Sequence, residues 1–551
     1  MIHFSNEKRH LVSDAIDGLI ASRGGTLRRF DPSSHARVVV RADWDKSRVA
    51  IVSGGGSGHE PANAGLVGPG LLTAAVCGEV FASPTVDAVL STILEVSGPA
   101  GCLLVIMNYT GDRLNFGLAA EKAKAMGHRV EMVIVGDDIA IANAPRPRGI
   151  AGTVFVHKVA GYLSDQGQSL EQIVAAVNEV NKSIRSLGVA RDTCTVPGNE
   201  KNSRIAANEV EVGLGIHGEP GIDIRAFDSS SQLMSVFSER LLPTLDPSKR
   251  YLALFNNLGG LNGLECAVLF KDFMSTEVAK QVDATLGPCC VMTALDMPGF
   301  SVSLVPLEGA HQAALLAPVD NDAWPTARKV VTPQAITPPS LPSIEAFAAS
   351  SDAATRSVIE KIISTCLAME DELNALDAKV GDGDTGTTFA AAARTVQAHL
   401  DQLPFADGAA LLTVLSDLAG KLMGGSSGVL FAILFANAAE AFKQDRRWAT
   451  ALAQGLVAMQ KYGGAQPGDR TMIDALKPGF DALVAGNGLQ VAAKRAREGA
   501  DATAKMLSAK AGRSSYLGAR SLDGFADPGA EGVARIFKAC AEQATDGYSL
   551  F

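Results

Sequence analysis

Five things are missing from this chain, and each absence removes a class of function. No block of Lys or Arg relieves a formal net charge of -10, so the electrostatic footprint of a nucleic-acid binder is absent and small molecules are the expected ligands. The longest uninterrupted apolar run of note, Val429 to Ala436, falls well short of the roughly 20 residues that cross a bilayer. The opening MIHFSNEKRH has no apolar core of a signal peptide. A cytoplasmic protein with no membrane partner is therefore expected. The eight cysteines, Cys77, Cys102, Cys194, Cys266, Cys289, Cys290, Cys366 and Cys540, include no C-x-x-C pair and meet no ligand-spaced histidine, which argues against a disulfide framework or a zinc site. Finally, no G-x-x-x-x-G-K-[ST] occurs, so any nucleotide must be held by something other than a P-loop.

What is present is a chain of 551 residues with ordinary composition, 47% hydrophobic and 20% charged, long enough for several domains. Its clearest boundary is VVTPQAITPPSLPS (330–343), where four prolines remove amide donors and favour a semi-rigid extended linker. Before it, strand-like runs such as RVAIVSG, GCLLVIMN, VEMVIVGDD and RYLALFNN alternate with helix-like segments such as NFGLAAEKAKAMG. This is the pattern of a sheet flanked by helices. After it, apolar residues recur at helical spacing, as at Val358, Ile362, Ile363, Cys366, Met369, Leu373 and Leu376, and strand signals nearly vanish. The expectation is an α/β domain over 1–330, in two subdomains of about 1–195 and 196–330 divided by the polar stretch Thr195 to Glu209. A linker over 331–343 and an all-α domain over 344–551 follow it.

Chemistry concentrates in the helical half at LDAKVGDGDTGTT, where Asp377, Asp382 and Asp384 share a short stretch with Gly381, Gly383 and Gly386. Two carboxylates about 4 Å apart repel by about 4 kcal/mol at an effective dielectric of about 20, so either water separates these three or a cation joins them. A solvated turn is the ordinary reading of a lone DGD. An EF-hand would need an oxygen ligand at Gly386 and a glutamate at Ala393, and a DxDx[TV] phosphatase motif would need Thr or Val at Gly386. Hard oxygen ligands between a helix expected to end near Leu376 and a new helix at TGTT suit Mg²⁺ bound jointly with phosphates. In the first half, SGGGSGHEP carries His59, NYTGDRLNFG carries Asp112 and VGLGIHGEPG carries His217, each in or beside a glycine loop. Loops at strand ends are where α/β proteins bind ligands, and two histidines with an aspartate form an acid/base set.

SGGGSGHEP, NYTGDRLNFGLAAEKA, VEMVIVGDD, GIHGEPG, NALDAKVGDGDTG, GGSSGVL, GDRTMIDAL and DPGA, in this order, closely resemble the single-chain, ATP-dependent dihydroxyacetone kinases over nearly the whole length. The resemblance implies a substrate domain of two α/β subdomains followed by a helical barrel that binds ATP. It implies that His217 forms a hemiaminal with the ketone carbon, that Asp112 is the base and His59 an acid or donor, and that Gly56, Ser57 and Gly58 join these three in contacting the substrate. It further implies that Asp377, Asp382 and Asp384 hold two Mg²⁺ ions. The nucleotide contacts it carries over are Thr385, Gly386, Thr387, Thr388, Ser426, Ser427, Gly463, Met472, Arg513, Asp527, Pro528 and Gly529. A homodimer is implied as well. One position departs from the family: Met107 stands where a lysine is common, which puts substrate preference in question and leaves another short ketose or aldose, such as erythrulose or glyceraldehyde, as the alternative. A side activity on flavin nucleotides, which some relatives show, is a further alternative.

Overall fold

Two sheets build the first of the two units into which the chain divides, Met1–Ala335 and Ile336–Phe551. The structure, a computed structural model, describes residues 4–201, 203–339, 347–422, 425–511, 513–516 and 518–544. The first sheet contains β1 (Leu27–Ser33), β2 (Ala36–Arg41), β3 (Ala50–Ser57), β4 (Ala74–Val80), β5 (Cys102–Met107) and β6 (Val130–Val135), in the order β1-β2-β4-β3-β5-β6. β4, β3, β5 and β6 run parallel, and β1 and β2 close one edge antiparallel.

Parallel strands are covered on both faces, which explains why β5, CLLVIM, is buried at every position. Its side chains alternate between two cores. Leu104 and Ile106 pack with Phe116 of the helix Thr110–Ala125, and Leu103 and Val105 pack with Phe155 of the helix Thr153–Asp165. Met107, at the end of β5, is buried in the second of these cores.

The second sheet contains β7 (Arg185–Ala190), β8 (Glu209–Val212), β9 (Asp223–Ala226), β10 (Tyr251–Asn257), β11 (Val282–Cys289), β12 (Gly299–Pro306) and β13 (Arg328–Lys329), in the order β13-β11-β10-β12-β7-β8-β9. Here the subdomain division differs from the expected 195/196. β7 lies before it, yet pairs antiparallel with β12 and β8. The polar stretch Thr195 to Glu209 is thus a loop between neighbouring strands of one sheet, because polarity marks solvent exposure rather than a change of sheet.

Among the described residues, no strand lies beyond Lys329. Residues 331–339 are exposed and without regular structure, and 340–346 of the proline-rich stretch lie outside the described residues. The second unit is all-helical, from Ala353–Ala368 to Pro528–Ala544. Its inward faces, including Ile359, Phe389, Leu415, Phe435, Phe480 and Phe537, surround an apolar cavity of about 280 Å³. The acidic stretch is not part of that lining. The long helical pattern before the acidic stretch is two helices, Ala353–Ala368 and Glu370–Val380, broken at Met369. The second runs past Leu376, so Asp377 stands on a helix and not in the loop, because the turn-forming glycine that ends it comes only at Gly381.

Candidate active site

β3 begins as an apolar strand and ends as GGGS, and the glycine loop continues to His59. Gly58 has a φ of +105°, and a Cβ there would lie 2.8 Å from the Phe81 ring, so only glycine lets the backbone turn against that ring. His59 is 1% exposed. Its Nδ1 lies 2.8 Å from the carbonyl oxygen of Thr293, an acceptor only, so Nδ1 carries the proton and Nε2 presents a lone pair.

That lone pair faces Nε2 of His217 at 3.1 Å. His217 sits in the loop after β8, where its Nδ1 donates to Glu219 Oε1 at 3.0 Å and its backbone amide donates to Glu219 Oε2 at 3.0 Å. Arg148 holds the base of the loop, donating to the Gly213 carbonyl at 2.6 Å while paired with Asp138 at 2.7 Å. With both Nδ1 atoms committed to oxygen acceptors, the two Nε2 atoms face each other. Burial and the neighbouring His217 push His59 down to about 3. Burial alone would raise the Glu219 carboxyl, but the His217 hydrogen bond and the electrostatic attraction between the two outweigh it and bring it to about 2.

Three aromatic contacts fix the imidazoles. Phe81 stacks on His59 at 5.2 Å between centroids and meets His217 edge-on at 4.9 Å, and Tyr109 meets His217 at 4.6 Å. Asp112 lies in the first turn of the helix Thr110–Ala125 and is 4% exposed. Burial raises it to about 6 against the opposing hydrogen bond from Ser83 and the nearby His217. A carboxylate with that value is a competent base near neutral pH. The structure thus brings His59, His217 and Asp112 together, with Gly56, Ser57 and Gly58 forming the loop that leads to them.

The acidic stretch forms a second site, within the helical unit. Asp377 is 6% exposed and Asp382 and Asp384 are exposed, and one carboxylate oxygen from each lies within 4.8 Å of the others. Asp377 Oδ2 accepts the amides of Asp384 at 3.0 Å and Thr385 at 3.1 Å, tying the helix end to the start of the helix Thr385–Ala398. Asn374 exchanges two hydrogen bonds with Thr387, at 2.9 and 3.0 Å. A Cβ on Gly386 would collide with the Glu370 carbonyl oxygen, so glycine permits the two helices to approach. Three oxygen donors beside the positive end of a helix fit a hard divalent cation and the phosphates it would carry.

Of the nucleotide contacts expected from the sequence, the DPG segment lies nearest the acidic stretch by its electrostatics. Asp527 caps the helix Pro528–Ala544 by accepting the Ala530 amide at 2.8 Å, and a Cβ on Gly529 would lie 3.3 Å from Met472. Burial raises Asp527 to about 6, with Asp377 among the charges acting on it, which places the DPG segment near the acidic stretch. Gly463 ends the helix Trp448–Gly463 and abuts Leu430. Ser427 is in the first turn of the helix Gly425–Asp445, as is Ser426, and Arg513 begins the short turn Arg513–Tyr516. The side chains of Ser426 and Arg513 lie outside the described residues.

Sequence reasoning missed Ser83, Phe81, Tyr109, Thr293, Glu219, Asn374 and Arg470. Glu219, two residues after His217, was within reach of a local reading. Arg470 ties GDRTM to the turn before Asp527 through a 2.8 Å bond to the Phe525 carbonyl. Met107, which stands where a lysine is common in the family, packs in the apolar core.

Two domain families match this chain: the Dak1 domain over residues 17–323 and the DAK2 domain over residues 379–542. The chain is 46% identical to a dihydroxyacetone kinase of Citrobacter freundii, over 98% of this chain and 99% of that one. It is 40% identical to the human triokinase/FMN cyclase, over 96% and 97%. Among solved structures, the native C. freundii dihydroxyacetone kinase superposes with a TM-score of 0.74 at 44% identity, covering 98% of this chain and 99% of that one. The same enzyme in complex with AMP-PNP and Mg²⁺ gives 0.73 at 43% identity over the same shares. A dihydroxyacetone kinase operon co-activator gives 0.52 at 29% identity, covering 57% of this chain and 98% of that one.

Proposed function

Because this chain belongs to the dihydroxyacetone kinase family, we propose that it transfers the terminal phosphate of ATP to dihydroxyacetone, with the sugar held as a hemiaminal on His217. The observation that carries this reading is the Nε2–Nε2 distance of 3.1 Å between His217 and His59, with both Nδ1 atoms engaged elsewhere. His217, hydrogen-bonded to Glu219 through Nδ1, adds its Nε2 lone pair to the ketone carbon. One N–C bond forms, the carbonyl π pair moves to oxygen as an alkoxide, and the alkoxide takes up the proton that Nδ1 releases by way of Glu219, so the hemiaminal is neutral. A triol without a carbonyl has no such bond to make, so selection rests on chemistry rather than on small differences in contact.

Asp112 accepts the proton of the attacking hydroxyl. Its value of about 6 leaves it mostly ionised at pH 7. Asp377, Asp382 and Asp384 hold Mg²⁺, which neutralises phosphate charge and aligns the polyphosphate when bound. The amides at the start of the helix Thr385–Ala398 face the same anion, and Met472, Asp527 and Gly529 shape the adjoining wall. AMP-PNP and Mg²⁺ in the C. freundii enzyme support this assignment. We also propose a homodimer, which light scattering checks.

A coupled assay with ATP and Mg²⁺ across dihydroxyacetone, glyceraldehyde and erythrulose tests the substrate. The highest kcat/KM is expected for dihydroxyacetone, and a higher value for either other sugar would replace it as the substrate.

A further inference from the structure

Two apolar residues with strained backbones flank the loop that carries His59. Among the described residues, six non-glycine positions have a left-handed φ, and Phe81 and Leu295, both at +56°, are the apolar ones. Bulky side chains rarely adopt that conformation, and where they do their surroundings must hold it. Here both are held at one place. The Phe81 amide donates to the Ser57 carbonyl at 2.9 Å, and the Leu295 amide donates to the Gly58 carbonyl at 2.8 Å. A Cβ on Gly58 would lie 2.8 Å from the Phe81 ring and 3.3 Å from Leu295 Cδ2, so the two side chains meet the same glycine. Both keep part of their surface accessible.

Phe81 also stands beside the atoms where bond formation is proposed. The ring centroids of His59, His217 and Phe81 form a near-equilateral triangle with sides of 4.9, 4.9 and 5.2 Å. The two Nε2 atoms meet along its His59–His217 side, so the Phe81 ring is one layer of atoms away from a carbon bonded to His217 Nε2. Tyr109, 4.6 Å from His217 between centroids, takes another side of that imidazole. Neither a phenyl ring nor an isobutyl group offers a hydrogen bond to a hydroxyl, and a hydroxyl that loses its water against them goes unpaired.

We propose that Phe81 and Leu295 are specificity-determining residues, an apolar pair of jaws that leaves room for the short arms of a three-carbon ketone on His217 and excludes ketoses with a longer polyhydroxylated chain. This rests on the hemiaminal reading above and adds to it the chain length that the site selects. With one hydroxymethyl arm directed to Asp112, the second arm is the one that lengthens in a larger ketose, and it leaves the adduct carbon beside the jaws. An added CHOH there meets an apolar surface and gives up its water without a new partner. Glycine at either position would relax the backbone and open the site, so the strain is retained together with the bulk, as it is where a residue clamps a ligand.

Calorimetric titration of the full chain with dihydroxyacetone, erythrulose and ribulose, in the absence of nucleotide, tests the proposal. Wild-type affinity should fall at least about 10-fold from dihydroxyacetone to ribulose, with erythrulose between them, as expected when an apolar wall discriminates by size. Phe81→Ala and Leu295→Ala should each narrow that gap at least about 5-fold, whereas Phe81→Leu, which keeps an apolar bulk, should preserve it. Equal wild-type affinity for the three sugars would overturn the proposal, and an unchanged gap in either folded alanine variant would overturn the role of that residue. The wild-type comparison decides even if no variant folds. Binding of no ketose to the wild-type chain would overturn the hemiaminal reading and this proposal together, whereas ketose binding without phosphotransfer would remove the kinase reading alone.

Discussion

In the proposed mechanism Asp112 is the residue on which the pH behaviour turns. Burial raises its carboxyl to about 6, and the base must be ionised, so kcat/KM for dihydroxyacetone should fall as pH drops through about 6 and level off above it. Ser83 donates to this carboxylate and opposes the effect of burial. Ser83→Ala should therefore move the acidic limb to higher pH, which a pH–rate profile reads directly; an unmoved limb would remove Asp112 as its source. Asp112→Asn should cost about 10²–10⁴ in kcat, the range of general-base catalysis. The three side chains proposed to react could be singled out in the sequence because each lies in or beside a glycine loop after a strand. Ser83 and Thr293 were not, since their roles depend on neighbours 29 and 234 positions away, and sequence spacing carries no trace of such contacts.

At the scale of elements, the acidic stretch works because two helix ends meet. Asp377, on the last turn of one helix, accepts the amides of Asp384 and Thr385 at the start of the next, so one carboxylate both braces the loop and offers an oxygen to a cation. Asp382 is exposed, and Asp382→Ala should remove Mg²⁺-dependent nucleotide binding with little loss of stability. Calorimetric titration with Mg²⁺ and ADP checks this, and wild-type affinity would exclude the metal role. Gly386→Ala should destabilise the helical unit by about 1–3 kcal/mol, the usual cost of overpacking, measured by urea unfolding, because its Cβ would meet the Glu370 carbonyl. The presence of an acidic helix–loop–helix was readable from the sequence. Its boundary was not, because Leu376 continues the apolar spacing only one residue short of Asp377 and nothing before Gly381 signals the end.

For the whole molecule, the two units have separate cores: one set of apolar clusters ends at Trp324 and Val330, and another begins at Val358. Separate cores should melt as separate transitions in scanning calorimetry. Mg²⁺ with ADP should raise only one of them, by about 2.7 kcal/mol at 100 times Kd; a single transition, or equal shifts in both, would contradict this. The α/β and all-α halves were legible from apolar periodicity, which changes from strand-like to helical across the prolines. The grouping of strands into two sheets was not, since β7 joins the second sheet through pairing with β12 over a hundred positions later. The likeness to the operon co-activator covers only 57% of this chain, and the central claim requires both sites.

The most direct test is a crystal structure of the chain with dihydroxyacetone, Mg²⁺ and a non-hydrolysable ATP analogue. Continuous density from His217 Nε2 to the ketone carbon, with the phosphates over Asp377, Asp382 and Asp384, is the predicted result. A sugar unattached to His217, or phosphates seated away from the three aspartates, would contradict it.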